Sequence, residues 1–266
     1  MTVRSSLVKT INSLAKILSG RPNIAPSLTE NEMLQVILKR RSIRSFKPQP
    51  VADDVFQAIL EAGRLAPSGV NLQSWTFAVF DNTLWQKTFG RSIPFHGERA
   101  VIIIADTYRY RQVFQEFPYS PLTEYTLSVI NASLAAMNMN LAAEALGVSS
   151  VMLSETGRTG LLDAKYLKET LSLPDGAIPL MTIVFGYARG LYPQMPPKLS
   201  LEDILLHGKY RPTDPETMQS WLDQMTAGYN ISHLGTNFKA QVALYERKVG
   251  QAEKDLRELV FYRPED

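Results

Sequence analysis

Ala62-Gly63-Arg64-Leu65-Ala66-Pro67-Ser68-Gly69-Val70-Asn71-Leu72-Gln73-Ser74-Trp75-Thr76-Phe77 decides how this chain folds. Upstream, Val55, Ile59, Ala62 and Ala66 recur at helical spacing, with Asp53 or Asp54 placed to cap the helix start. Pro67-Ser68-Gly69 stops that helix, and Thr76 to Phe80 predicts a strand. The stretch is therefore a helix-to-strand turn in which proline and glycine permit a sharp bend and close backbone approach. Ser68, Asn71 and Gln73 supply hydroxyl and amide groups able to read the polar edge of a heterocycle. The plainer alternative is a turn whose side chains bond only its own backbone.

Moving outward toward the N-terminus, Arg40-Arg41-Ser42-Ile43-Arg44 puts three guanidiniums and a hydroxyl within five residues. Planar guanidinium forks match phosphate oxygens, although such a run also suits a solvated face. The cluster ends a helix whose apolar residues are Met33, Leu34, Ile37 and Leu38, opened by Thr29 and Glu32 as an expected capping box. Cations are favourable at that end because its carbonyls carry partial negative charge.

Toward the C-terminus, Ala100 to Ala105 and Leu180 to Phe185 read as strands buried on both faces. Between them, Thr123 to Leu146 is a long helix with Leu127, Ile130, Leu134, Met137 and Leu141 on one face and Val129, Ala132, Ala136 and Met139 on others. A helix apolar nearly all round is expected to be central and buried, and Gly147 stops it. Phe238, Val242, Tyr245, Val249, Ala252, Leu256 and Leu259 form a seam of about three heptads. That seam suits either packing along its own domain or pairing with a second subunit. At the other end, Leu7, Ile11, Leu14 and Leu18 mark an amphipathic helix among Arg4, Lys9, Lys16 and Arg21. Such a start can contact a membrane surface or act as a transit peptide; docking on its own protein is the simpler reading. The expected organisation is an N-terminal helical extension over 1–28, a core domain over 29–210 and a C-terminal helical extension over 211–266.

Composition narrows the function classes. With 266 residues, 45% of them hydrophobic, the chain can bury a substantial core without staples. The absence of cysteine excludes disulfides, thiolate catalysis and cysteine zinc sites. A net charge of +2 provides no field for nucleic acid. No apolar run approaches the roughly 18 residues of a transmembrane helix, and no signal-peptide core opens the chain; a cytoplasmic protein is expected. Dinucleotide-binding, P-loop and nucleophile-elbow glycine motifs are missing. His96, His207 and His233 have no partner at metal-ligand spacing.

Arg40 to Phe46 together with Ala62 to Phe77 resembles the nitroreductase family of FMN-dependent enzymes, whose N-terminal pattern is R-R-S-I-R-x-F, a spacer, A-G-R-L-A-P-S-G-x-N-x-Q, then W-x-F. Ala142 to Val148, Leu173-Pro174-Asp175-Gly176 and Phe185-Gly186-Tyr187 extend the likeness, which covers about residues 30 to 207. It implies an α+β fold with a mainly antiparallel central sheet wrapped by helices, as an intertwined homodimer with two FMN sites at the interface. In that arrangement Arg40, Arg41, Ser42 and Arg44 hold the ribityl phosphate. Pro67, Ser68, Gly69, Asn71 and Gln73 come from the partner subunit to the isoalloxazine. The loop Val151-Met152-Leu153-Ser154 lies along the ring with a backbone N–H toward flavin N5, and Lys198 returns to the phosphate. The chain departs from the family pattern at Ser74, where proline is common, at Glu155 and at Leu199. Arg91 is the candidate cation near flavin N1 and O2.

The resemblance implies ping-pong chemistry: NADH or NADPH delivers hydride to the flavin and leaves, and a nitroaromatic, quinone or similar small acceptor takes its place. No side-chain nucleophile is needed, so no catalytic residue is assigned. Tyr108, Tyr110, Phe114, Phe117 and Tyr119 crowd the insertion before the long helix, where they suit either stacking on a planar substrate or lid and subunit packing. Two other functions compete: an FMN-dependent dehydrogenase or oxidase of a specific metabolite, and a non-catalytic flavin-binding or dimeric interaction protein.

Overall fold

The computed structural model describes residues 8, 10–15, 22, 24–114, 118–154, 158–233 and 235–262. Its helices are α1 (Glu32–Lys39), α2 (Asp53–Arg64), α3 (Asn82–Phe89), α4 (Tyr108–Arg111), α5 (Pro121–Ala145), α6 (Ala164–Thr170), α7 (Leu201–Ile204), α8 (Pro215–Ser232) and α9 (Phe238–Val260). Its strands are β1 (Trp75–Asp81), β2 (Arg99–Asp106), β3 (Ser149–Leu153) and β4 (Ala177–Gly186). They form one antiparallel sheet in the order β1-β2-β4-β3. The fold class is α+β, as the resemblance implies.

The apolar run of β2 alternates between two cores. Val101, Ile103 and Ala105 face α2 and α5, packing with Phe56, Ile59, Ala132, Ala136 and Met139. Ala100, Ile102 and Ile104 face the opposite way, onto Trp85, Ile93 and Leu167. Both faces are thus dry, which explains why the run shows no polar alternation. Pro179 sits inside a central strand because the register slips between Ile103 and Ile104, and a bulge tolerates the missing N–H.

Several local expectations change. The cap of α1 is Asn31, whose side chain accepts from Leu34 N, and not Thr29 with Glu32. Helix α2 starts at Ala52 without a side-chain cap; Asp53 and Asp54 lie in its first turn, favourably placed for the helix dipole. The stretch Val151 to Leu153 is not a loop but the body of β3. Helix α5 is not buried all round: its dry side is the small and polar stripe Ser128, Asn131, Ala132, Ala135, Ala136, Met139, Asn140 and Ala143. Its Leu127, Ile130, Leu134 and Met137 face outward, 52, 52, 41 and 40% exposed in the order given. Small side chains allow α2 to approach α5 so closely that a Cβ on Gly63 would lie 2.7 Å from Met139 Cγ. Gly147 takes the left-handed φ of 75° expected of a helix stop.

By contact density the chain divides into two compact units, one of Met1–Ser27 with Gln194–Arg247, the other of Leu28–Pro193 with Lys248–Asp266. The first contains α7 and α8, where Tyr229 stacks on His233 and meets the Phe238 ring edge-on. The second contains the sheet. There the end of α9 contributes Leu256, Leu259 and Val260 to a small core with Tyr125, Ala164 and Ile178. The lower half of the heptad seam therefore packs on its own domain, while Val242, Tyr245 and Val249 remain exposed. Residues 10–15 are helical, with Ile11 exposed; Leu7 and Leu18 lie outside the described residues. No helix among the described residues is long and apolar enough to cross a membrane.

Candidate functional site

The basic segment runs from the C-terminus of α1 along the outer edge of β3. Ser42 bridges Ser150 in parallel, and Ile43 N donates to Ser150 O at 3.0 Å. Beneath it, Ser150 donates to Asn140, whose amide in turn reaches Met152 sulfur at 3.5 Å. Arg41 is partly committed to the helix: its Nη1 donates to Leu38 O at 2.6 Å and to Arg40 O at 2.8 Å, while its buried Nε has no partner among the described residues. Arg40 and Arg44 enter no ion pair among the described residues. Glu144, on the last turn of α5, feels Arg40, Arg41 and Lys39, yet burial outweighs their attraction and holds its carboxyl above the usual range.

The second segment is an exposed tight turn. Val70, Asn71 and Gln73 have φ of 50°, 57° and 49°. Each left-handed L-residue costs roughly 1–2 kcal/mol, less for asparagine, so the surroundings must hold the turn in place. Ser68 hydroxyl accepts from Gln73 N at 3.0 Å, and Asn131 carbonyl accepts from Gly69 N at 3.2 Å. The side chains of Asn71 and Gln73 are exposed and make no hydrogen bond among the described residues. Ser74 is buried and anchors the exit: its hydroxyl accepts from Asn131 Nδ2 at 2.8 Å and its carbonyl from Asp106 N at 3.1 Å.

Within one chain the two segments do not meet. The turn feeds β1, one edge of the sheet; the arginine segment flanks β3, the other edge. Four inter-strand spacings of roughly 4.8 Å separate them by about 19 Å before any offset along the strands. Of the stretch Val151 to Ser154, Met152 packs toward one core and Leu153 toward the other, so Leu153 can meet a ligand only through its backbone; Ser154 is exposed. A Cβ on Gly160 would lie 2.6 Å from Ser154 Cα and 2.9 Å from Leu180 O, so this position accepts only glycine. Arg91 Nη2 reaches Arg158 O at 3.5 Å and its Nε is buried without a partner among the described residues. Lys198 is exposed and belongs to the other compact unit.

The described residues of the insertion are tied to α5 and to Tyr262. Tyr110 is buried and donates to Glu124, which also pairs with Arg111. Burial, then the Glu124 charge, pushes the Tyr110 hydroxyl far up, and burial alone pushes Tyr125 up to about 12. Tyr119 donates to Tyr262 O and meets the Tyr262 ring edge-on at 6.1 Å. Tyr108 and Phe114 are about half exposed, and Phe117 lies outside the described residues. What the sequence missed is Asn131, Ser74, Glu144 and Tyr262. Ser74 alone carried a signal, as a departure at a quoted motif.

Comparison with known proteins converges on one group. A family model described as the nitroreductase family matches residues 37–93 and 83–187. An Archaeoglobus fulgidus protein, provisionally named an NADH dehydrogenase/NAD(P)H nitroreductase, is 32% identical over 164 residues, covering 59% of this chain and 86% of its own length. An NADPH-dependent oxidoreductase of Staphylococcus aureus is 25% identical over 223 residues, covering 79% and 87%. Among solved structures, nitroreductase A from Vibrio parahaemolyticus superposes with a TM-score of 0.68 at 20% identity over 82% of this chain and 92% of its own. The NADPH:FMN oxidoreductase of Vibrio harveyi complexed with NAD+ gives 0.66 at 22% identity with the same coverages. The structural likenesses establish the shared fold.

Proposed function

This chain belongs to the nitroreductase family, and on that footing we propose that it is an FMN-dependent oxidoreductase, a cytoplasmic homodimer reduced by NADH or NADPH and reoxidised by a nitroaromatic, quinone or similar small acceptor. The observation that carries the reading is the disposition of two polar segments, each with side-chain groups unused among the described residues, on opposite edges of one sheet. A twofold-related copy brings the arginine segment of one chain to the Pro67–Gln73 turn of the other. The exposed row Leu127, Ile130, Leu134 and Met137 is the apolar surface such a dimer would cover.

The residues fit an FMN. Arg40, Arg44 and Ser42, with the Nε of Arg41, would hold the phosphate by charge-assisted hydrogen bonds. Asn71 and Gln73 would read the polar edge of the ring, with Pro67, Ser68 and Gly69 shaping the turn that presents them. The main chain of Met152 to Ser154 would lie along the ring. When bound, FMN would supply the hydride-transfer chemistry between reduced nicotinamide and acceptor. Tyr108, Phe114, Phe117 and Tyr119 would flank that acceptor, and no side chain serves as nucleophile.

Purified protein should show a flavin visible spectrum that bleaches on anaerobic titration with NADH or NADPH. A colourless protein that cannot be reconstituted with FMN would sink the cofactor; a bound flavin that neither nucleotide reduces would sink the reductase reading. Arg40→Ala should weaken FMN binding by about 10- to 100-fold, the scale of one charge-assisted phosphate contact. Arg91→Ala should weaken it less, and equal losses in a fluorescence titration would remove the reason for placing Arg40 at the phosphate.

A further inference from the structure

We propose that Asn131, inside α5, is the positioning residue of the Pro67–Ser74 turn, acting with Ser74 as a single hydrogen-bonded brace. The inference rests on the flavin reading given above. Asn131 is 6% exposed and Ser74 2% exposed, so neither can exchange its partner for water without opening the core. The Asn131 amide uses both of its ends on one turn: Oδ1 takes the Gly69 N–H at the entrance, and Nδ2 gives to the Ser74 hydroxyl at the exit. Between these two points lie the left-handed residues Val70, Asn71 and Gln73. Val70 is 96% exposed, so no packing of its side chain within the chain stabilises that backbone. The brace, with Ser68 closing on Gln73 N, is what holds an otherwise unfavourable backbone in one conformation.

Such a brace matters for binding. Asn71 and Gln73 are exposed, with side-chain amides that make no hydrogen bond among the described residues, and a ligand pays for ordering them unless the turn is already formed. If loosening leaves the turn competent for only a tenth of the time, apparent affinity falls about ten-fold. Because Asn131 lies one residue beyond Ile130 of the exposed α5 row, the same helix that offers the dimer surface also sets the turn. Ser74, which stands where the resemblance leads to proline, supplies by hydrogen bonding a restraint that a ring would supply covalently.

The test uses the full chain and two readouts. In the apo protein, Asn131→Ala should speed amide exchange at Gly69 at least about ten-fold while exchange in β2 and β4 stays as in wild type. In FMN titrations the same variant should raise Kd about ten-fold. Ser74→Ala should act in the same direction, and the double variant should be no weaker than Asn131→Ala alone, as expected of one network. Unchanged Gly69 exchange, unchanged FMN affinity, or strictly additive losses would each overturn the proposal. So would faster exchange throughout the sheet, which would mark a merely structural role. A wild-type chain that takes up no FMN would instead sink the cofactor reading, and the Gly69 exchange would still decide whether Asn131 holds the turn.

Discussion

At the scale of single residues, chemistry and conformation separate. Arg40 and Arg44 stand out in the sequence by type, and Asn71 and Gln73 by their place after a proline–glycine turn. That Arg41 partly caps α1 does not, because the carbonyls it reaches are defined only once the helix ends. Glu144 is equally silent: an acidic residue in A-A-E-A-L-G looks like a solvated face, yet it is half-buried beside three cations. Its folded carboxyl is raised above 4.5, so ionising it costs the native state free energy as pH rises above that value. Glu144→Gln should therefore raise the thermal midpoint at pH 7, by only ~1–2 °C because the site is partly solvated and screened. The gain should disappear toward pH 4, where glutamate is itself neutral. A midpoint that falls at pH 7, measured by calorimetry, would show that attraction to the arginines outweighs burial.

Elements were legible in proportion to how local their cause is. The runs Val101 to Ile104 and Leu180 to Phe185 are strands because both faces of the sheet are covered, and Gly147 stops α5 by its own backbone freedom. The resemblance implies a loop over Val151 to Ser154, whereas Ser149 to Leu153 forms β3 by pairing with β4. The heptad seam of α9 could not declare its partner. In the structure Leu259 is buried against Ile178 and Ala164, whereas Val249 is 39% exposed. Leu259→Ala should cost ~2–3 kcal/mol of unfolding free energy, and Val249→Ala about 0.5 kcal/mol or less. Equal losses in urea titrations would mean that a second chain covers the upper seam.

For the whole molecule, the decisive feature is the outward row on α5. Leu127, Ile130, Leu134 and Met137 sit at spacings of three and four, all at least 40% exposed, on a helix whose opposite side is dry. On the proposed function this row is the dimer contact, and FMN retention depends on it because neither chain holds both halves of the site. Leu134→Asp touches neither segment, yet it should convert the dimer to monomer in sedimentation velocity and lower FMN affinity at least about ten-fold, since a buried unpaired carboxylate is costly. A monomer that retains wild-type affinity would place the whole site within one chain.

By itself the sequence determined the α+β class, the position of the main strands and helices, the family, and the residue types that the proposed function assigns to a phosphate and a ring. These follow from periodicity and from short motifs whose meaning is local. Tertiary structure alone decided that the two motifs lie on opposite edges of one sheet, that α5 turns its large apolar residues outward, and that Asn131 braces the turn with Ser74. Each of these depends on contacts between residues far apart in the chain, 62 positions in the case of Asn131 and Gly69. Composition and spacing carry no record of which distant surfaces will be brought together.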